Sequence, residues 1–126
     1  MSKTIIPTLT RTHQRLILDN EKLLVTNARL DKGYSYKQGD LLVISDINRY
    51  MPAQDESFYH AICGQDVTLE EAEIKDINGI EVPIYLSGIF NIEAVTVCGN
   101  PVPKAKYDSA RSAGNENKII LLKMGS

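Results

Sequence analysis

The sequence predicts a mostly β fold of the α+β class, and three observations carry that expectation. The first is the stretch Val82-Pro83-Ile84-Tyr85-Leu86-Ser87-Gly88-Ile89-Phe90-Asn91-Ile92, where every second residue from Val82 to Ile92 is apolar or glycine. Successive strand side chains point to opposite faces, so one whole face of this segment suits a core. The second is a pair of short apolar runs, Leu41-Leu42-Val43-Ile44 and Ile119-Ile120-Leu121-Leu122. The first of these suits a strand buried on both faces. The third is the punctuation by turn formers, at Asp31-Lys32-Gly33, Gln38-Gly39-Asp40 and Asn78-Gly79.

Taken in order, residues 1–15 place Ile5, Ile6, Pro7 and Leu9 among threonines and basic residues, which favours extended chain and forbids a helix. The segment reads either as a frayed terminus or as an arm that adds a strand to a partner's sheet. Residues 16–126 form a single β-rich domain. Leu16-Ile17-Leu18 and Lys22 to Val25 are expected as two short strands joined by a turn at Asp19-Asn20-Glu21. Tyr34 and Tyr36 share one face of an extended segment, and Gln38-Gly39-Asp40 is expected to be a turn and nothing more. Asp46 to Ser57, polar and containing Pro52, reads as a loop, and strand character resumes from Phe58 to Val67.

Residues 68–81 point two ways. Thr68-x-x-Glu71 is a capping box that opens a short acidic helix, whereas Asn78-Gly79 between Ile77 and Ile80 is a hairpin signal. In the central strand, Pro83 marks an edge or an entry point, and Gly88 a bulge, bend or close backbone approach. Asn91 to Val95 suits one helical turn, and Cys98 to Pro103 breaks structure. Lys104 to Ala113 is expected to be a helix with an Asp108/Arg111 pair and a stop at Gly114, before a last strand within Lys118 to Met124.

At 126 residues the chain is long enough for one domain with its own core. Its 43% apolar and 24% charged content is that of an ordinary globular domain. A net charge of −2 gives no global electrostatic argument for nucleic acid. The distribution is more telling: residues 46–81 hold nine acids against Arg49 and Lys75, while residues 1–29 and 100–126 each carry an excess of three positive charges. This is either a solvated acidic stretch or one half of a complementary docking pair. Two cysteines cannot make a disulfide framework, no secretory signal is visible, and no apolar run approaches a membrane span. Synthesis in the cytoplasm with both thiols reduced is the expectation.

The search for chemistry yields little. His60 and Cys63, three apart in a strand, face opposite ways, and both Cys63 and Cys98 are expected to be structural. His13, His60, Cys63 and Cys98 lack the paired spacing of a zinc site, and the acids of 66–76 lack that of a calcium loop. No catalytic residue, metal or cofactor is therefore expected.

From Phe58 to Val67, and again from Ile84 to Val95, the chain resembles the head-decoration proteins of tailed bacteriophages, of the phage lambda type. The shared order is a small-residue strand, a variable loop, a strand reading aromatic-x-Ser-Gly-x-Phe (Tyr85 to Phe90), an acid-x-Val turn (Glu93 to Val95), a helix (Lys104 to Ala113) and a terminal β-run (Lys118 to Met124). The similarity spans roughly residues 37–126; residues 1–36 do not align, and the lambda protein's tryptophans are absent here. It implies a compact β-tulip-like domain with one or two short helices and an extended N-terminal arm. It also implies a homotrimer on the capsid exterior, at three-fold and quasi-three-fold sites of the expanded shell. The major capsid protein would be its partner, with no nucleic acid or membrane and no enzymatic activity. The arm of that family pairs with the shell, which here implicates Thr4, Ile5, Ile6, Pro7, Thr8 and Leu9. Another virion or assembly module such as a tail component, and a small cysteine-dependent enzyme, remain as alternatives.

Overall fold

The structure, a computed structural model, describes residues 15–123. The chain is mostly β with two short helices, in the order β1 (Ile17–Leu30), β2 (Leu41–Asp46), β3 (Arg49–Pro52), β4 (Ala61–Cys63), α1 (Leu69–Asn78), β5 (Val82–Asn91), β6 (Thr96–Val97), β7 (Asn100–Pro101), α2 (Tyr107–Asn115) and β8 (Ile119–Leu122). Three-residue 3-10 turns at Ile92–Ala94 and Lys104–Lys106 lead out of β5 and into α2.

Pairing runs β1–β3–β2–β4–β5, and β5 pairs back onto β1, so five strands close into a small barrel. One edge of β5 is occupied by β1 along its length. The other is taken first by β4, at Ile84 and Tyr85, and then by β8, from Gly88 to Asn91. The stretch with the clearest alternation is thus the best-paired strand of the fold.

Alternation in these strands feeds two cores. Ala28, Leu30, Leu42, Tyr50, Ala61, Cys63, Val82 and Ile84 form one cluster, closed off by Tyr36, Val67 and Ala72. Their immediate neighbours Leu41, Ile62 and Tyr85 belong to the other, with Phe90, Ile92, Val95, Val102, Ala110, Ile119 and Leu121. Alternation accounts for the split between Leu41 and Leu42, Ala61 and Ile62, and Ile84 and Tyr85. The expected single core face from Val82 to Ile92 is not kept. One step of β1 (Leu24 to Val25) spans two on β5 (Ser87 to Tyr85), and beyond that irregularity Phe90 and Ile92 join the outer cluster with Tyr85. The first cluster fills the barrel; the second is the outer face that the segment 92–122 covers.

Several local expectations need correction. The segment 16–25 is not two strands around a turn but part of the fourteen-residue β1. Between Asp19 and Leu24 it advances five residues against two on β5, a bulge in which the Glu21 N–H donates to Asp19 Oδ1 at 2.9 Å. The turn chemistry is real, but cross-strand pairing on both sides keeps the chain running forward. The bulge lies opposite Gly88, where a Cβ would come within 3.3 Å of Leu23 and the Phe90 ring. Gly88 also holds φ at +148°, a conformation side chains avoid.

Asp46 to Ser57 is not all loop, since Arg49–Pro52 forms β3, antiparallel to β2 and parallel to β1. Four residues ending in proline give too short an alternation to outweigh the turn formers around them. Of the run 41–44, Leu41 and Leu42 are buried but Ile44 is exposed. Within Phe58 to Val67 only Ala61–Cys63 is a strand, and Val67 adds an isolated bridge to Tyr36. Pro83 sits at the entry of β5 rather than on an edge strand: its carbonyl accepts from the Gly64 N–H at 3.0 Å, just where β4 has run out.

Residues 68–81 resolve in favour of the helix. The capping box is complete, with Thr68 Oγ1 accepting from Glu71 N–H and the Glu71 carboxylate from Thr68 N–H. Gly79 is no hairpin turn; at φ +67° it is the left-handed C-cap of α1, its N–H bonded to helix carbonyls. Cys98-Gly99, read as a break, is the two-residue turn of the β6–β7 hairpin, both residues having positive φ.

Gly114 does not stop α2 but lies inside it. Tyr59 is buried there and donates its hydroxyl to the Ala110 carbonyl at 2.7 Å. A Cβ on Gly114 would collide with that hydroxyl and fall 2.5 Å from the Ile119 carbonyl. Helix propensity alone favours Gly→Ala by roughly 1 kcal/mol, whereas forced overpacking costs about 1–3 kcal/mol. Gly114→Ala is therefore expected to lower the midpoint of denaturant unfolding; an unchanged or raised midpoint would show that α2 is free to shift away from Tyr59.

Candidate functional site

The residues expected to bind the capsid, Thr4, Ile5, Ile6, Pro7, Thr8 and Leu9, lie outside the described residues. The point at which that segment meets the domain is defined. Leu16 is buried in the outer core, and its carbonyl accepts from the Asn91 N–H at 2.8 Å. Arg15 Nε donates to the Ile17 carbonyl at 2.7 Å. The segment thus starts from the C-terminal end of β5, beside the turn Ile92–Ala94.

Asp40 is more than part of a turn. It is buried, and its carboxylate accepts from Lys37 N–H at 2.9 Å, from Gly99 N–H at 3.0 Å and from the Thr96 hydroxyl. Its carbonyl receives the Cys63 N–H at 2.8 Å, and the preceding Gly39 carbonyl receives the Thr96 N–H at 3.0 Å. One acid thereby ties the start of β2 to β4 and to the β6–β7 hairpin. Buried carboxylates persist only with such satisfaction. The sequence signal was faint, an acid after glycine in a turn, because Thr96 and Gly99 lie more than fifty residues away.

The two thiols part company. Cys63 is buried inside the barrel, its Sγ 3.1 Å from the Gln65 carbonyl, and burial pushes its pKa up to about 11. A thiol so held is a poor nucleophile. Cys98 is exposed in the hairpin turn and does not belong to a core, contrary to the expectation of a structural residue packed among apolar neighbours. His60 does not reach Cys63. Its Nδ1 accepts from the Ile44 N–H at 3.1 Å, and its ring meets the edge of Phe58 with centroids 4.9 Å apart. Ser109, Ser112 and Glu116 line the open cleft beside it, but no described residue is hydrogen-bonded to His60 Nε2. Among the described residues no group of three or more His, Cys, Asp or Glu is placed to hold a metal ion. Nor is any described helix long and apolar enough to cross a membrane.

Two surfaces stand out instead. The helix α1 is inverted relative to an ordinary amphipathic helix. Its inner side holds Ala72 and Asp76, and Asp76 pairs with Arg49 at 2.8 Å and Arg29 at 2.9 Å. These guanidinium contacts, with the Arg49 hydrogen bond first, hold the Asp76 carboxyl below the usual carboxylate range. Its outer side shows Ile74 and Ile77, at 56% and 69% exposure, with Ile80 just beyond the cap and Glu70, Glu73 and Glu81 nearby. Sequence reasoning missed this stripe because Ile77 and Ile80 were absorbed into the hairpin pattern. The second surface is a groove of roughly 280 Å³ lined by Lys22, Ser87, Gly88, Ile89, Lys118 and Ile120. The exposed Leu122 and Lys123 extend the same end of the molecule.

No protein-family model matches the chain, and no curated protein matches its sequence.

The contrast between the thiols sets an expectation for alkylation. At pH 8 the folded chain should consume one equivalent of iodoacetamide quickly, at Cys98, and the second only after unfolding. Rapid modification of Cys63 in the folded protein would mean that the barrel opens readily or that its thiolate is stabilised.

Proposed function

We propose that this chain is a structural virion protein. In this reading it binds the outer surface of the expanded capsid of a tailed phage as trimers, at three-fold and quasi-three-fold sites, and stabilises the shell against the pressure of packaged DNA. The observation that carries the reading is the ordered series from Phe58 to Met124 that resembles the lambda-type decoration proteins, with its Tyr85-x-Ser-Gly-x-Phe strand, Glu93-x-Val95 turn, helix and final β-run. The strand is β5 of the barrel, and the turn, helix and final strand that follow pack over its outer face. A closed barrel with a covered outer face suits a passive clamp, which works by holding its own shape while its surfaces grip.

In this reading the arm, through Thr4, Ile5, Ile6, Pro7, Thr8 and Leu9, pairs as a strand with the major capsid protein. Main-chain hydrogen bonds supply affinity and alternate side chains supply fit. Pro7 has no N–H, so its position faces away from the partner strand or the pairing is interrupted there. Each bond contributes only about 1 kcal/mol net, and ordering the arm costs about as much per residue. Three arms on one trimer make up the difference through effective concentration. The function requires no cofactor, nucleic acid or membrane, and the site of action is the virion exterior.

Co-sedimentation with purified shells tests this directly. The full chain should pellet with expanded shells and not with unexpanded ones. A chain lacking residues 2–15 should melt as the full chain does yet lose shell binding by at least tenfold. Equal binding to both shell forms, or to neither, would contradict the decoration reading. Binding that survives the deletion would move the contact to the folded domain.

A further inference from the structure

The outer stripe of α1 and the groove lined by Lys22 and Lys118 are complementary in character, and among the described residues neither is covered. The outer stripe of α1 runs Glu70, Ile74, Ile77, positions that share one side of a helix. An exposed aliphatic stripe among acids is a poor match for water and a good one for an apolar slot with basic rims. The groove has that character, with Ile89 and Ile120 along it and Lys22 and Lys118 at its edge. The two cannot meet within one copy. Asp76 anchors α1 to Arg29 near the end of β1, whereas Lys22 lies seven residues earlier along the same strand. Arg29 lies one residue beyond the Ala28–Val82 pair, whereas Lys22 lies in the bulge opposite Gly88, at the other end of the β1–β5 ladder.

We propose that the Ile74/Ile77 stripe of α1 seats in the Lys22/Lys118 groove of a second copy of this chain. The inference rests on the homotrimer in the function proposed above and names its contact. The two surfaces differ, so the contact is head-to-tail, and a ring of few copies results when its rotation closes. The apolar centre supplies the attachment. The Glu70 and Glu73 carboxylates facing lysine supply register and rate of encounter, and they make assembly sensitive to salt. The Asp76 ion pairs hold α1 so that the isoleucines face outward.

The test is sedimentation equilibrium of the full chain without shells, at concentrations up to about 100 μM. The chain should associate beyond the monomer, and less so as salt rises. Ile77→Asp should weaken association by at least tenfold, as should Lys22→Glu combined with Lys118→Glu. Because all three residues are exposed, the melting of each variant serves as the control for folding. Adding Glu70→Lys and Glu73→Lys to the double lysine variant should restore assembly. A chain that is monomeric throughout, association untouched by these changes, or charge reversal without recovery each overturns the contact. A monomeric chain that still binds expanded shells would overturn this contact alone and leave the decoration reading standing.

Discussion

The pairing of β1 with β5 closes the barrel, and it makes β5 a wall with a core on each side. Ile84 and Val82 look inward, while Tyr85 and Phe90 look out to the layer built by α2, β8 and the turn after β5. A strand buried on both faces and paired along both edges has little freedom to move. Every other element is placed relative to it: β4 and β8 share one edge, β1 takes the other, and Leu16 docks where it ends. Opening at β5 would expose both cores together, so its amides belong to the most stable part of the fold.

Around that wall the polar ties are few and specific. Asp40 fastens three segments distant in sequence, and Asp76 fastens α1 to β1 and β3 through Arg29 and Arg49. Arg111 Nε donates to the Leu121 carbonyl at 3.1 Å and so occupies one backbone group on the outer edge of β8. Edge strands covered by a charged side chain resist unwanted pairing.

What the sequence made legible is what local chemistry decides. The alternation of 82–92, the capping box at Thr68 and Glu71, the turn after Asn91 and the final apolar run all became the expected elements, because each carries its cause within a few residues. What stayed hidden depends on distant partners. β3 is a strand because β1 and β2 lie on either side of it, and Asp19-Asn20-Glu21 bulges instead of reversing because β5 continues past it. Asp40 looked like a turn residue because Thr96 and Gly99 are remote in sequence. Gly79 caps a helix where Asn78-Gly79 signalled a hairpin, and Gly114 lies inside the helix it was expected to stop, since glycine serves turns, caps and close packing equally well. The proposed arm was suggested by its threonines, isoleucines and Pro7, and by resemblance.

In the function proposed, a closed barrel with an N-terminal arm acts by gripping a shell. The most direct measurement is a cryo-electron-microscopy reconstruction of expanded shells incubated with the full chain. Added density is expected at three-fold and quasi-three-fold positions, in groups of three barrels, with an extended segment from each barrel lying against the capsid protein. Bare shells, or single copies bound elsewhere on the lattice, would contradict it.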